Sequence, residues 1–375
     1  MERIAFQIPE HPEGARAYLN TLREIFKAYP SDPNQLPEIL ERKVAEAEGS
    51  AYACAFQSTS TALKVFFEFH GIGKGHQVLC PTYMPIEYVH AILRSGATPI
   101  FIDLVADRFE PSLPSAIRGI TEKTRALVLF YPYGIPCDPS AFQRLCKDHD
   151  LRFVEVVPGG LGSSYRDKAL GTHGDAGILE FHPKRASFTG EGGFVVTDDE
   201  GFSRFARKWL LSRTVIETEP ETPKKRISDF HAAIGIWHVD RLREADVRRA
   251  RVVRAYEDPL RSVPGIQLPS LHPKGHACHR FYPILVEGER RNRVRDLLTK
   301  CGIETAIGYA PAHLNTFVEA LLRPPRLHFS ESIHEKTLLL PIYPTLTPIE
   351  QEYVVETLVS ALGTFPYQSR LEVYA

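Results

Sequence analysis

The chain has 375 residues, more than one hydrophobic core usually organises, so two domains are expected. Hydrophobic residues make up 43% and charged residues 24%, with a formal net charge of -1. That balance supplies no global field for nucleic acid or an anionic membrane and favours a small-molecule substrate. Six cysteines (Cys54, Cys80, Cys137, Cys146, Cys278 and Cys301) form no C-x-x-C pair and no Cys/His cluster at zinc spacing, so no metal is expected. Their apolar surroundings suit reduced thiols. The N-terminus, MERIAFQIPEHPEG, lacks the basic-then-apolar pattern of a signal peptide, and no apolar run reaches spanning length. A cytoplasmic protein is expected.

In chain order, residues 1 to about 50 are polar with a helical pattern. Residues 57–70 predict a polar turn and then a helix, 77–81 a strand, 86–95 a helix and 98–104 a strand. A strand over 125–131, a helix over 140–149 and strands over 152–157 and 192–197 follow. The strands are too uniformly apolar to be half-exposed, which predicts a parallel sheet covered on both faces. Ser228 is placed to cap a long helix running through Ala232, Ile236 and Val239 to about Tyr256. Beyond it come a strand over 281–286, a helix over 291–301 and a last helix over 348–362, the pattern of a smaller α+β unit. Expected boundaries are 1–240 for the large domain and 241–375 for the small one.

Several segments, in order along nearly the whole chain, resemble the DegT/DnrJ/EryC1/StrS family of pyridoxal phosphate (PLP) aminotransferases from deoxysugar and antibiotic pathways. They are STSTAL at 58–63, GIGKGHQVLCP at 71–81, ATPIFID at 97–103, YGIPCD at 133–138, GTHGDAGILEFHP at 171–183, GEGGFVVT at 190–197, AAIG at 232–235 and LLPIY at 339–343. The resemblance implies aminotransferase fold type I, with a mixed, mainly parallel sheet in a large domain, a small α+β C-terminal domain, and active sites at a homodimer interface.

Against that family pattern, most of the residues that hold and use PLP are replaced. A Schiff base needs a lysine amine, and the matching position is Arg185, whose guanidinium stays protonated; Lys184 lies one residue early. The carboxylate that pairs with the pyridinium nitrogen corresponds to Val156. Glu155 is adjacent, but neighbouring strand residues face opposite ways. Pro85 stands at the ring-stacking aromatic, Thr59 at a phosphate-turn glycine, Gly159 at a glutamine, Glu180 at a phosphate-binding serine and Lys224 at an asparagine lent by the neighbouring subunit.

Three readings stay open. In the first, the chain is a cofactor-independent acid–base enzyme, of lyase, dehydratase, isomerase or cyclase type, on a small biosynthetic intermediate. Glu180, Arg185 and His182 are then the candidate catalytic residues. Glu87, Lys184, Ser58, Thr59, Ser60, Tyr83 and Lys224 are the candidate substrate-binding residues. The second is a non-catalytic homologue that binds a small molecule or a partner. The third is a PLP aminotransferase using Lys184. For several of these residues a packing role is the plainer account: Val156 as a core valine, Glu180 and Arg185 as a structural pair, His182 packed under its loop, and Tyr83, Tyr88 and Tyr133 as interior aromatics.

Overall fold

The computed structural model describes residues 3–5, 19–20, 23–24, 27, 35–180, 192–211 and 226–363. In the first part of the chain, α1 (Gln35–Glu48) precedes β1 (Tyr52–Phe56), α2 (Thr59–Phe69), β2 (Gln77–Pro81), α3 (Ile86–Arg94) and β3 (Thr98–Ile102). Then come α4 (Leu113–Gly119), β4 (Thr124–Phe130), α5 (Ser140–Asp148), β5 (Arg152–Pro158) and the short β6 (Ser164–Tyr165) and β7 (Lys168–Ala169). Next are β8 (Ala176–Glu180), β9 (Gly193–Thr197), α6 (Glu200–Leu211) and α7 (Asp229–Asp240). The remainder holds α8 (Leu242–Leu260), β10 (Ile266–Gln267), β11 (Gly275–His276), β12 (Tyr282–Val286) and α9 (Arg291–Lys300). It ends with β13 (Ala306–Ile307), α10 (Thr316–Leu322), α11 (His328–Lys336), β14 (Thr337–Leu340) and α12 (Pro348–Ala361).

Among the described residues the main sheet has seven strands in the order β1-β9-β8-β5-β4-β2-β3. From β8 to β3 every pairing is parallel, and β9 runs antiparallel to both its neighbours. The sheet is therefore mixed and mainly parallel, as expected. Its central strands are apolar because both faces are covered. Leu127, Leu129, Phe153 and Val157 meet α1, α4, α5 and α7 on one face. Ala126, Val128, Phe130, Val154 and Val156 meet α2, α3, α6 and α10 on the other. In α5, Phe142, Leu145 and Cys146 recur at helical spacing, which turns one stripe inward.

A second, antiparallel sheet, β10-β12-β14-β13, packs with α8, α9 and α12 around its own core. Ile4 joins that core and bridges to Ile303, so the start of the chain lies with its C-terminal part. Thr347 and Glu350 form a reciprocal capping box that starts α12.

The expected single helix from Ser228 to about Tyr256 is two helices. Ser228 does cap the first, its Oγ accepting from His231 N–H. Arg241, at φ -110° and ψ 9°, then leaves helical geometry. The packing gives the reason. Most of α7 is buried, with Ala232–Ile236 in the large sheet's core, whereas α8 points only a stripe, including Val252, Val253 and Tyr256, into the core of the second sheet. One straight helix cannot serve both faces. The polar pattern at the N-terminus yields α1 among the described residues, and strands β1 and β8 were not anticipated from sequence.

Candidate functional site

The C-terminal ends of β4, β5 and β8 and the N-terminus of α2 converge on one side of the main sheet. In register, Phe130 on β4 faces Val156 on β5, and Val156 faces Ile178 on β8. All three belong to the core shared with α2 and α3. Glu180 lies two residues past Ile178, so strand alternation turns it to the same face; it is buried and sits opposite Pro158 and Gly193. Val156, which is fully buried, leaves β5 with no carboxylate on this face.

Glu155 points to the other face, as alternation requires. Its Oε1 accepts from Tyr131 Oη at 2.6 Å, and its Oε2 accepts from the N–H groups of His173 at 2.6 Å and Gly174 at 2.9 Å. Burial alone would raise its pKa. The hydrogen bonds and charge of His173, with the Tyr131 hydroxyl, outweigh burial and hold it below the usual carboxylate range. Glu155 thus ties β4, β5 and the turn before β8 together from behind the site.

Ser58, Thr59 and Ser60 open α2. Ser58 takes the N-cap position in extended geometry, φ -148° and ψ 136°, without a side-chain cap bond. Its Oγ lies 2.7 Å from Ser60 Oγ. Hydroxyls and first-turn N–H groups at a helix start favour an anion or a polar oxygen. Thr59 is buried and turns its methyl toward β9: a Cβ on Gly193 would fall 2.2 Å from Thr59 Cγ2 and 2.7 Å from Leu179 O. Glycine at 193 is what lets the strand and the helix start approach so closely.

Beyond β2 and β4 the space is filled by aromatic rings. Tyr83 Oη is 2.7 Å from Tyr133 Oη and donates to Thr337 Oγ1 at 3.2 Å. Tyr309 stacks on Tyr133 with centroids 4.9 Å apart and meets Phe130 edge-on at 5.6 Å. Tyr133 is held at φ 62°, a left-handed conformation costing a bulky residue about 1–3 kcal/mol. Burial pushes the Tyr83 hydroxyl up to about 12, offset in part by its bonds to Thr337 and Tyr133. The hydroxyl of Tyr83 is thus committed to a buried network joining the two sheets.

The structure therefore brings Ser58, Thr59, Ser60 and Glu180 to one end of the main sheet. Tyr83 lies in the aromatic layer beside it. Glu87, in the first turn of α3, is exposed. Arg185, His182, Lys184 and Lys224 lie outside the described residues. Sequence reasoning missed a buried relay just past β2: Thr82 Oγ1 is 2.7 Å from His313 Nδ1, and His313 Nε2 is 2.9 Å from Glu331 Oε1. Glu331 also pairs with Arg326. Thr82 and His313 are 231 positions apart, and no local pattern links them. It also missed a cluster of Asp246, His276 and Cys278, for which the only sequence signal was the His-x-Cys spacing.

A family model, described as the DegT/DnrJ/EryC1/StrS aminotransferase family, matches residues 19–359. The chain belongs to this family. It is 25% identical over 337 residues to the spore coat polysaccharide biosynthesis protein SpsC of Bacillus subtilis, covering 84% of this chain and 87% of that one. It is 28% identical over 331 residues to the erythromycin biosynthesis sensory transduction protein EryC1 of Saccharopolyspora erythraea, covering 85% and 89%. Among solved structures it superposes on the aminotransferase TlmJ from Streptoalloteichus hindustanus with a TM-score of 0.87 at 25% identity, covering 96% of this chain and 99% of that one. With DesV of S. venezuelae, solved in complex with a ketimine intermediate, the TM-score is 0.84 at 26% identity, covering 96% and 98%. The architecture is that of the PLP aminotransferases of fold type I. No helix among the described residues is long and apolar enough to cross a membrane, and each of the six cysteines is a free thiol.

Proposed function

We propose that this family member does not use PLP Schiff-base chemistry and instead carries out acid–base chemistry on a small, anionic or carbonyl-bearing biosynthetic intermediate. One observation carries the reading: the face of β5 toward α2 bears Val156, walled by Phe130 and Ile178, while Glu155 is engaged on the opposite face. PLP needs a carboxylate there to keep its ring nitrogen protonated. Glu180 adds to the misfit, since a carboxylate beside the α2 turn disfavours a phosphate dianion. Arg185 at the lysine position completes the argument from sequence.

In this proposal Glu180 is the general acid or base, its buried strand end excluding competing water. Arg185 holds a carboxylate or phosphate of the substrate, with His182 as a second proton carrier and Lys184 and Lys224 lining the site. The hydroxyls of Ser58 and Ser60 orient a polar oxygen. Thr59 shapes the wall against Gly193, and Tyr83 positions the aromatic layer. We further propose a cytoplasmic homodimer with domains 1–240 and 241–375, Ile4 crossing to the second. Sedimentation at micromolar concentration tests the dimer, and a monomer would count against it.

The similarity to DesV and TlmJ supports a second reading, a PLP aminotransferase using Lys184. Mixing the purified chain with PLP, reducing with borohydride and mapping any adduct separates the two. We expect no Schiff-base absorbance and no reducible adduct at the site. A stoichiometric adduct at Lys184 together with amino transfer would overturn the proposal.

A further inference from the structure

Away from the site described above, three side chains of different chemistry converge where α8 meets β11. Asp246 comes from the first half of α8, His276 from β11, and Cys278 lies two residues further on the same extended segment. His276 Nε2 is 2.9 Å from Asp246 Oδ2, and one donor atom from each of the three residues falls within 4.8 Å of the others. Asp246 Oδ1 is buried and has no hydrogen-bond partner among the described residues.

We propose that Asp246, His276 and Cys278 bind a divalent transition-metal ion, with zinc as the best match. A thiolate, an imidazole and a carboxylate form the mixed soft and borderline donor set that zinc accepts. Tetrahedral zinc with ligand bonds of roughly 2.0–2.3 Å places its ligand atoms about 3.3–3.8 Å apart. With His276 Nε2 and Asp246 Oδ2 2.9 Å apart and all three donor atoms within 4.8 Å of one another, side-chain shifts of about 1 Å close the site. His276 is exposed, which lets the ion enter and leaves water access to a fourth position. On binding, the Cys278 thiol gives up its proton to solvent.

The surroundings hold the thiol in place. Cys278 N–H donates to Ser163 Oγ at 3.0 Å, and Arg249 Nε donates to Cys278 O at 2.7 Å. Gly162, at φ +85°, is required for the approach: a Cβ there would lie 2.9 Å from Cys278 Sγ. Beyond His279 on the same segment, Arg280 and Phe281 pack on Gly159 just past β5, with Arg280 Cβ 3.4 Å and Phe281 Cε2 3.0 Å from an added Cβ. A metal here would clamp α8 to the segment that walls the end of β5. The site is independent of the proposed reaction.

The test uses the full chain, stripped with a chelator and titrated with Co²⁺. We expect one equivalent to bind with a sulfur-to-cobalt charge-transfer band and tetrahedral visible bands, displaced by Zn²⁺. Cys278→Ser should abolish the charge-transfer band and Cys301→Ser should retain it. His276→Ala, at an exposed position that tolerates truncation, should weaken binding by at least about tenfold. It should also remove the Zn²⁺-dependent rise in melting temperature seen in the parent. An absent band at excess Co²⁺, or a band and affinity unchanged in His276→Ala, would overturn the proposal and leave an ordinary His–Asp surface pair.

Discussion

Replacing Glu155 tests whether this carboxylate belongs to the scaffold or to the site. Glu155→Gln keeps the shape and removes the charge. The amide oxygen can still accept from the N–H groups of His173 and Gly174, but its NH₂ then faces the Tyr131 hydroxyl, which now donates to Oε1 at 2.6 Å. Hydrogen bonds to a charged group contribute roughly 1.5–3 kcal/mol, and an orphaned buried donor costs roughly 1–3 kcal/mol. A loss of about 2–3 kcal/mol is expected for Glu155→Gln at neutral pH, and about 3–6 kcal/mol for Glu155→Ala, which strands all three donors. The sign with pH follows from the depressed folded pKa. The charge-dependent stability is complete above the ordinary value of 4.5 and is lost as pH falls through the lower folded value. Urea unfolding of parent and Glu155→Gln across acid to neutral pH measures the gap, provided the slope with denaturant is unchanged. Ligand binding at the site should survive the substitution. A neutral-pH loss below about 0.5 kcal/mol, or a gap that widens toward acid, would refute the scaffold assignment.

Two further outcomes follow from buried groups. Burial pushes Glu48 up to about 8 despite the Gly162 N–H on its Oε1 and the nearby Arg280 charge, so its stabilising contribution is full below 4.5 and lost as pH rises through about 8. Glu48→Gln should therefore flatten stability against pH and exceed the parent in alkaline solution; a parent whose stability stays level from mild acid to pH above 8 would contradict this. Gly308→Ala places a methyl 2.1 Å from Tyr83 Oη, 2.6 Å from Tyr133 Oη and 2.9 Å from Thr337 Cβ. It should cost about 1–3 kcal/mol in thermal or urea unfolding. Adding Tyr83→Phe should recover part of the loss by removing the closest contact.

Much of the architecture was legible because periodicity reports local burial. Strands such as Thr124–Phe130 and Arg152–Pro158 are apolar on successive residues, which only a sheet covered on both faces tolerates. The opposed directions of Glu155 and Val156 followed from strand alternation alone. The Ser228 cap was legible from the residue type, but the break at Arg241 was not, since Arg241 is an ordinary helix former and the turn answers to two separate cores.

By itself, then, the sequence determined the family, the main sheet's character and the opposed faces of Val156 and Glu155, because each depends on residue type at a local, periodic position. The tertiary structure alone decided where distant side chains meet. It joined Thr82 to His313 and, across the two sheets, Tyr83 to Thr337, committed the Tyr83 hydroxyl to the interior, and brought Asp246 to His276 and Cys278. Those meetings depend on how helices and sheets close over one another, and a one-dimensional pattern carries burial without naming the partner that supplies it.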